Sequence, residues 1–314
     1  MSTWFPSVAD PAYLFYLRVV AVVLVVYGLV LLALKLSPLG ERDAVHKTWI
    51  AYRAWLVMGP LIFLSVGLGR RPFIALVGLL ALLFVREFSR ATGLYEDRAF
   101  VLVVCLWVIA LFWSALIGRY GFFVAMPVYG ILTLFMLPSF RDQYEGMIQR
   151  VGLSVVALVY LGWMPAHLAF LANHRDWIAY ALFLIVGTEL NDAAAYLAGR
   201  LFGRHKLMPR ISPNKTVEGA IGSLAVVAAF TWGVRGWLPG FTPALLVASV
   251  LILCFGGILG DLAISFVKRD VGVKDMGTLI PGHGGLLDRC DSLLVTAPLF
   301  FHMIRYFVRG GFAA

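Results

Sequence analysis

One dense run of polar residues interrupts an otherwise apolar chain. It spans 260–291 and reads GDLAISFVKRDVGVKDMGTLIPGHGGLLDRCD. Carboxylates stand at Asp261, Asp270, Asp275, Asp288 and Asp291, and cations at Lys268, Arg269, Lys274 and Arg289. Asp261, Ser265 and Lys268 are spaced i, i+4 and i+7, which places them on one helix face. Asp288 and Asp291 are spaced i, i+3, so both carboxylates point the same way. Carboxylates at the mouths of adjoining helices can hold a hard cation such as Mg²⁺, and neighbouring Lys and Arg can hold phosphates. Between them lies the turn Pro281-Gly282-His283-Gly284-Gly285, whose glycines allow backbone to approach a phosphate. His283 could donate to a phosphate or be structural. A solvated loop with charges at the headgroups is the competing reading. That reading leaves unexplained the carboxylates at both helix mouths and the glycine-rich turn.

A second constellation lies upstream. Glu189, Asp192 and Tyr196 fall at i, i+3 and i+7 in an apolar run, with Arg200 one turn on. An ionisable group inside a membrane helix points to a functional site, although a polar pair can also join helices. The basic segment from Arg200 to Thr216 follows. Ser212 before Pro213 predicts a helix N-cap with proline at the first helical position. A helix start beside Lys215 would suit a phosphate; Lys206 and Arg210 could equally meet anionic lipid.

The elements that must position these residues are membrane helices. The chain has 314 residues, of which 61% are hydrophobic and 14% charged, and its mean hydropathy is +0.88. A soluble chain of this size could not hide so much apolar surface. Sheet alternation is absent, so the predicted fold is an all-α polytopic membrane protein with nine or ten transmembrane helices. The expected spans are 12–36, 55–69, 72–88, 99–117, 120–137, 151–171, 178–199, 217–238, 243–267 and 288–308. The pair within Trp55–Phe88 is read either as two short spans or as a re-entrant pair.

Cation placement favours ten spans. With the 200–216 loop inside, the inner connectors hold seventeen Lys and Arg and the outer ones seven; Arg18 and Lys35 lie in the first span. Both chain ends then face outward. Arg70 and Arg71 fit this arrangement poorly. The N-terminal MSTWFPSVADPAY lacks the basic region of a signal peptide. Cys105, Cys254 and Cys290 form no metal-binding or disulfide pattern. The net charge of +9 comes without a basic tail or nucleic-acid module, so no nucleic-acid partner is expected.

The polar run resembles the signature of the phosphatidate cytidylyltransferases (CDP-diacylglycerol synthases). The matching residues are Ser265, Lys268-Arg269, Lys274-Asp275, Gly277, Ile280-Pro281, His283-Gly284-Gly285, Leu286, Asp288-Arg289 and Asp291. Cys290 departs mildly from the usual aliphatic residue or Thr. The upstream segment is also similar to that family at Asp192, Ala195, Tyr196, Gly199, Arg200, Ser212, Pro213, Lys215, Thr216, Glu218 and Gly219. The resemblance covers roughly 192–291. It divides the chain into a variable helical half, 1–177, and a catalytic half, 178–314.

The resemblance implies that CTP and phosphatidate yield CDP-diacylglycerol and pyrophosphate, as in phospholipid biosynthesis. It makes Asp261, Asp288, Lys268, Arg269 and Lys274 catalytic candidates. Lys215, Ser212, Thr216, Arg289, His283, Gly284, Gly285, Asp192 and Tyr196 become substrate-binding candidates. Asp261, Asp288, Asp291 and Asp192 are the expected ligands of Mg²⁺, with a second metal ion as an option. The expected setting is a cell inner membrane, with membrane lipids around the chain, the site facing the cytoplasm and a homodimer as a candidate assembly. Two alternatives stay open: a related CTP-dependent enzyme acting on another lipid phosphate or a polyprenol, and an ion-coupled transporter. The latter predicts paired interrupted helices in two related halves.

Overall fold

The computed structural model describes residues 8–37, 43–279, 284–308 and 310–312. Among them, ten helical segments run in succession. They are α1 (Pro11–Leu36), α2 (Asp43–Gly67), α3 (Arg70–Ala91), α4 (Arg98–Ile117) and α5 (Tyr120–Phe140). Then follow α6 (Met147–Leu171), α7 (Trp177–Phe202) and α8 (Val217–Gly233). The last two are α9 (Pro243–Asp270) and α10 (Leu287–Phe307). Eight of them, α1 to α7 and α9, are long and apolar enough to cross a membrane. The apolar α8 is shorter, with 17 residues, and the 21-residue α10 carries Asp288, Arg289, Asp291 and Arg305. The all-α, multi-pass architecture expected from composition is therefore present.

Local sequence sets several helix starts. Asp10 caps α1 by accepting from the N–H groups of Ala12 (2.8 Å) and Tyr13 (3.1 Å), with Pro11 just inside. Thr242 caps α9 in the same way, followed by Pro243. Two segments contain a π turn, Ala157–Trp163 in α6 and Ile252–Gly256 in α9. A π turn places an extra residue in the coil and re-aims the side chains that follow. In α9 those side chains include Asp261.

The doubtful Trp55–Phe88 region is two full helices, α2 and α3, of 25 and 22 residues. Residues 43–54, ahead of it, form the first turns of α2. Arg70 also finds its explanation. Its Nη2 donates to the carbonyls of Ala115 (3.2 Å) and Leu116 (2.6 Å) at the C-terminal end of α4. Ala115 O also accepts from Gly118 N–H (3.2 Å) and from Asn173 Nδ2 (3.0 Å), so the Arg70 cation joins a cap at the end of α4.

Two expectations are corrected. The basic loop is not wholly irregular. It forms a small antiparallel hairpin, β1 (Lys206–Met208) with β2 (Ser212–Thr216), in which Lys206 pairs with Thr216 and Met208 with Ser212. Ser212 lies in β2 and is not a helix N-cap. Thr216 fills that role: its Oγ1 accepts from Gly219 N–H at 3.1 Å. A strand ending in Thr216 brings the cap four residues later than the Ser-Pro pair suggested.

One buried cluster of apolar side chains runs through both halves of the chain, from Ala12 to Val308. Lipid offers these side chains an apolar alternative, so tight packing rather than water exclusion sets the contacts between helices. The site end of the bundle is tied by Asp97. It accepts from Arg141 Nη1 at 2.9 Å and from Arg150 Nη1 at 2.6 Å, joining the start of α4 to the α5–α6 connection. Burial pushes the Asp97 carboxyl upward, but the two arginines outweigh that and hold it below the usual range.

A carboxylate held low stabilises the fold above its ordinary pKa, and that contribution disappears as pH falls through the folded value. Asp97→Asn should lower the stability of the detergent-solubilised protein by about 2 kcal/mol at neutral pH. The deficit should stay constant down to about pH 5 and shrink only below about pH 4, near the ordinary carboxylate value. Thermal melting of both proteins across that range checks it.

Candidate functional site

The site forms where α7, α9 and α10 meet beneath the hairpin. α9 and α10 approach closely at Gly260, where a Cβ atom would strike the carbonyl of Asp291 and sit 2.8 Å from Ser292 Cα. Ser292 Oγ donates to the Gly257 carbonyl at 3.2 Å across the same contact. This crossing carries Asp261 on α9 and Asp291 on α10 to one level. α7 adds Asp192 beside Gly257, whose position leaves room for the Asn191 amide (2.7 Å from a built Cβ) and Asp192 Oδ1 (3.7 Å). Asp192, Asp261 and Asp291 lie within electrostatic reach of one another.

Two lysines answer this negative charge. Lys215, near the end of β2, points its Nζ at Asp261 Oδ2 (2.8 Å), while Ser265 Oγ donates to the other oxygen at 2.9 Å. Lys268 Nζ meets Asp288 Oδ1 at 2.7 Å and also lies within the field of Asp291. β2 of the hairpin carries Lys215 to Asp261. Arg269 Nε donates to Ile211 O (3.3 Å), which ties the hairpin to the end of α9. Glu218 holds its other edge by accepting from the backbone N–H of Arg204 (3.0 Å) and from the ring Nδ1 of His205 (2.6 Å).

Asp288 is placed differently from the three carboxylates. Its Oδ2 accepts from Met276 N–H (2.8 Å) and Gly285 N–H (3.1 Å), so it shapes the connection between α9 and α10. Glu87, from the end of α3, joins it there by accepting from Leu286 N–H (3.0 Å) and Leu287 N–H (2.8 Å).

The sequence candidates therefore separate. Asp192, Asp261, Asp291, Lys215 and Lys268 come together. Arg289 is exposed on the first turn of α10, within electrostatic reach of the half-buried Glu189. Lys274 is exposed on the connection. Gly284 adopts φ +79°, a conformation that favours glycine, and packs on Asp275. Gly285 lies against the Asp288 and Glu87 carboxylates. Ser212 is half-buried in β2, and the buried Thr216 caps α8 and wedges against Gly199, rather than facing the carboxylates. Tyr196 is 67% exposed and its hydroxyl accepts from Arg200 Nη1 at 3.3 Å. His283 lies outside the described residues. Glu87 was not anticipated, because its 199-residue separation from Leu286 leaves no local spacing to read.

The donor set at the carboxylate group fits a hard cation. Asn191 is buried, its Nδ2 turned to Asp192 Oδ1 (3.2 Å), and its Oδ1 has no hydrogen-bond partner. An unpartnered buried acceptor beside three carboxylates suits a divalent ion. Among the described residues no three His, Cys, Asp or Glu side chains are grouped so as to hold a metal ion as they stand; Asp261 is turned to Lys215 instead.

Known proteins are similar to this chain over most of its length. The profile of the cytidylyltransferase family matches residues 49–307. The chain belongs to the cytidylyltransferase family. Similar proteins include an uncharacterised protein, YnbB, of Escherichia coli, which is 39% identical over 166 residues, covering 49% of this chain and 55% of YnbB. A phosphatidate cytidylyltransferase of Staphylococcus haemolyticus is 40% identical over 167 residues, covering 51% of this chain and 60% of that protein. One of Mycobacterium leprae is 42% identical over 155 residues, with coverages of 47% and 49%. The chain thus spans about half to three-fifths of the length of these relatives.

The α9–α10 crossing yields a direct check. Gly260→Ala forces a methyl group against α10 backbone and should cost about 1–3 kcal/mol, read as a lower melting temperature in detergent. Gly272→Ala, where a Cβ meets nothing within 4 Å but φ is +73°, provides a contrast limited to backbone strain.

Proposed function

We propose that this chain transfers the cytidylyl group of CTP to phosphatidate, giving CDP-diacylglycerol and pyrophosphate. The Lys215–Asp261 contact at the head of a membrane-embedded carboxylate group carries this reading, in a chain of the cytidylyltransferase family. The names of the Staphylococcus and Mycobacterium relatives support phosphatidate as the acceptor. The distribution of Lys and Arg supports a cytoplasmic orientation for the site in a plasma or inner membrane. CTP then arrives from water while the lipid enters from the side.

The phosphate oxygen of the acceptor is already anionic and attacks the α-phosphorus of CTP. The bond from that phosphorus to the bridging oxygen breaks, and pyrophosphate departs with the electron pair. No strong general base is needed, so positioning and charge neutralisation dominate. Asp192, Asp261 and Asp291 would hold Mg²⁺, which when bound neutralises phosphate charge. Lys215 on Asp261 and Lys268 on Asp288 supply fixed positive charge beside them. Arg269, Lys274 and Arg289 are the further cations at this end available to the triphosphate or the lipid phosphate. Lys215, paired with Asp261 at 2.8 Å, would offer its ammonium to a phosphate beside that carboxylate.

Transfer of labelled CTP onto phosphatidate in detergent micelles tests this. The parent should form CDP-lipid only with a divalent ion present and lose activity on chelation. Asp261→Asn and Lys215→Ala should each reduce kcat by about 100-fold, or roughly 2.7 kcal/mol, while melting as the parent does. No product from folded parent with several divalent ions would remove the phosphatidate assignment. Product only with another lipid phosphate would keep the transfer chemistry and change the acceptor.

A further inference from the structure

We propose that Glu87 is a positioning residue for the catalytic end of α10, supplied by the half of the chain that carries none of the signature residues. The activity part of this inference rests on the cytidylyl-transfer reading.

α10 starts at Leu287 without a capping side chain of its own. The first N–H groups of any helix have no partner inside it and must be satisfied from elsewhere. Here Glu87 satisfies two in succession: Leu286 N–H donates to Oε1 at 3.0 Å and Leu287 N–H to Oε2 at 2.8 Å. A carboxylate at a helix N-terminus is also favoured by the helix dipole. Glu87 is only 4% exposed, and a carboxylate that buried is tolerable only when bonded in this way.

The cup around it is built to fit. A Cβ on Gly285 would lie 2.8 Å from Oε2 and 2.7 Å from Gly277 N, and a Cβ on Gly277 would overlap the carboxylate. Asp288 closes the same connection from the other side through Met276 N–H and Gly285 N–H. Two carboxylates therefore fix four backbone N–H groups, at 276, 285, 286 and 287. Glu87 itself is held on a rigid helix, since Phe84, Val85 and Phe88 around it are buried in the core. Asp288, Arg289 and Asp291 follow its anchor point within four residues. The orientation of α10's first turn is thus set by α3.

Glu87→Gln keeps the size but turns one acceptor into an amide that faces an N–H donor. Hydrogen–deuterium exchange on the full-length protein in detergent should show amides in 284–290 exchanging at least tenfold faster, with α3 and α4 unchanged. Under the same conditions kcat should fall 10- to 100-fold while KM for CTP stays within threefold. Glu87→Asp, which retains the charge, should recover part of both. Unchanged exchange at 284–290, or a uniform rise along every helix, would overturn the proposal, as would full turnover in Glu87→Gln. If Glu87→Gln cannot be obtained folded, Gly277→Ala crowds the intact carboxylate from the loop side. It should give the same local exchange and kcat signature, and its absence would be equally fatal. The exchange measurement needs no substrate. A parent that forms no CDP-lipid would remove the transfer reading and leave the test of Glu87 standing.

Discussion

Holding several carboxylates together at the end of a membrane helix bundle is the constraint on which this structure turns. Asp192, Asp261 and Asp291 repel one another and are costly to desolvate, and nothing in an apolar helix packing would retain them. The Lys215–Asp261 ion pair is the visible answer. It requires a cation at a fixed height above the bundle, which a free loop would not give. The hairpin, its tie through Arg269 and its clasp by Glu218 all follow from that requirement.

The same logic explains the glycines. Gly257 and Gly260 let α9 sit against α7 and α10 closely enough for carboxylates from three helices to share one level. Gly277 and Gly285 make room for two further carboxylates that work on backbone rather than on ligand. The acidic residues thus divide by task. Asp288 and Glu87 organise the connection between α9 and α10, and the deeper group is left to meet a cation. In the sequence Asp288 and Asp291 look alike, three residues apart on one helix; their hydrogen bonds separate them.

Much of the architecture is legible from the chain alone, because a membrane span needs a long apolar run and the runs are plain. Helix spacing also places Asp261, Ser265 and Lys268 together, and the Ser265–Asp261 hydrogen bond follows that spacing. What spacing cannot reveal is contact between distant segments. The partners of Glu87 and Asp97 lie 199 and 44 or 53 residues away, beyond any local spacing. Ser212 carried a convincing capping signal from Ser-Pro, yet strand pairing with β1 took precedence and the cap moved to Thr216. Arg70 contradicted the charge rule because its cation caps α4 carbonyls.

Binding of Mn²⁺ as a paramagnetic stand-in for Mg²⁺, followed by electron paramagnetic resonance in detergent, tests the central claim most directly. A saturable site in the parent that is lost or weakened at least tenfold in Asp192→Asn, Asp261→Asn and Asp291→Asn, but retained in Lys274→Ala, is the result expected. Parent-like Mn²⁺ binding in all three aspartate variants, each still folded, would contradict it and move the cation away from the α7–α9–α10 carboxylate group.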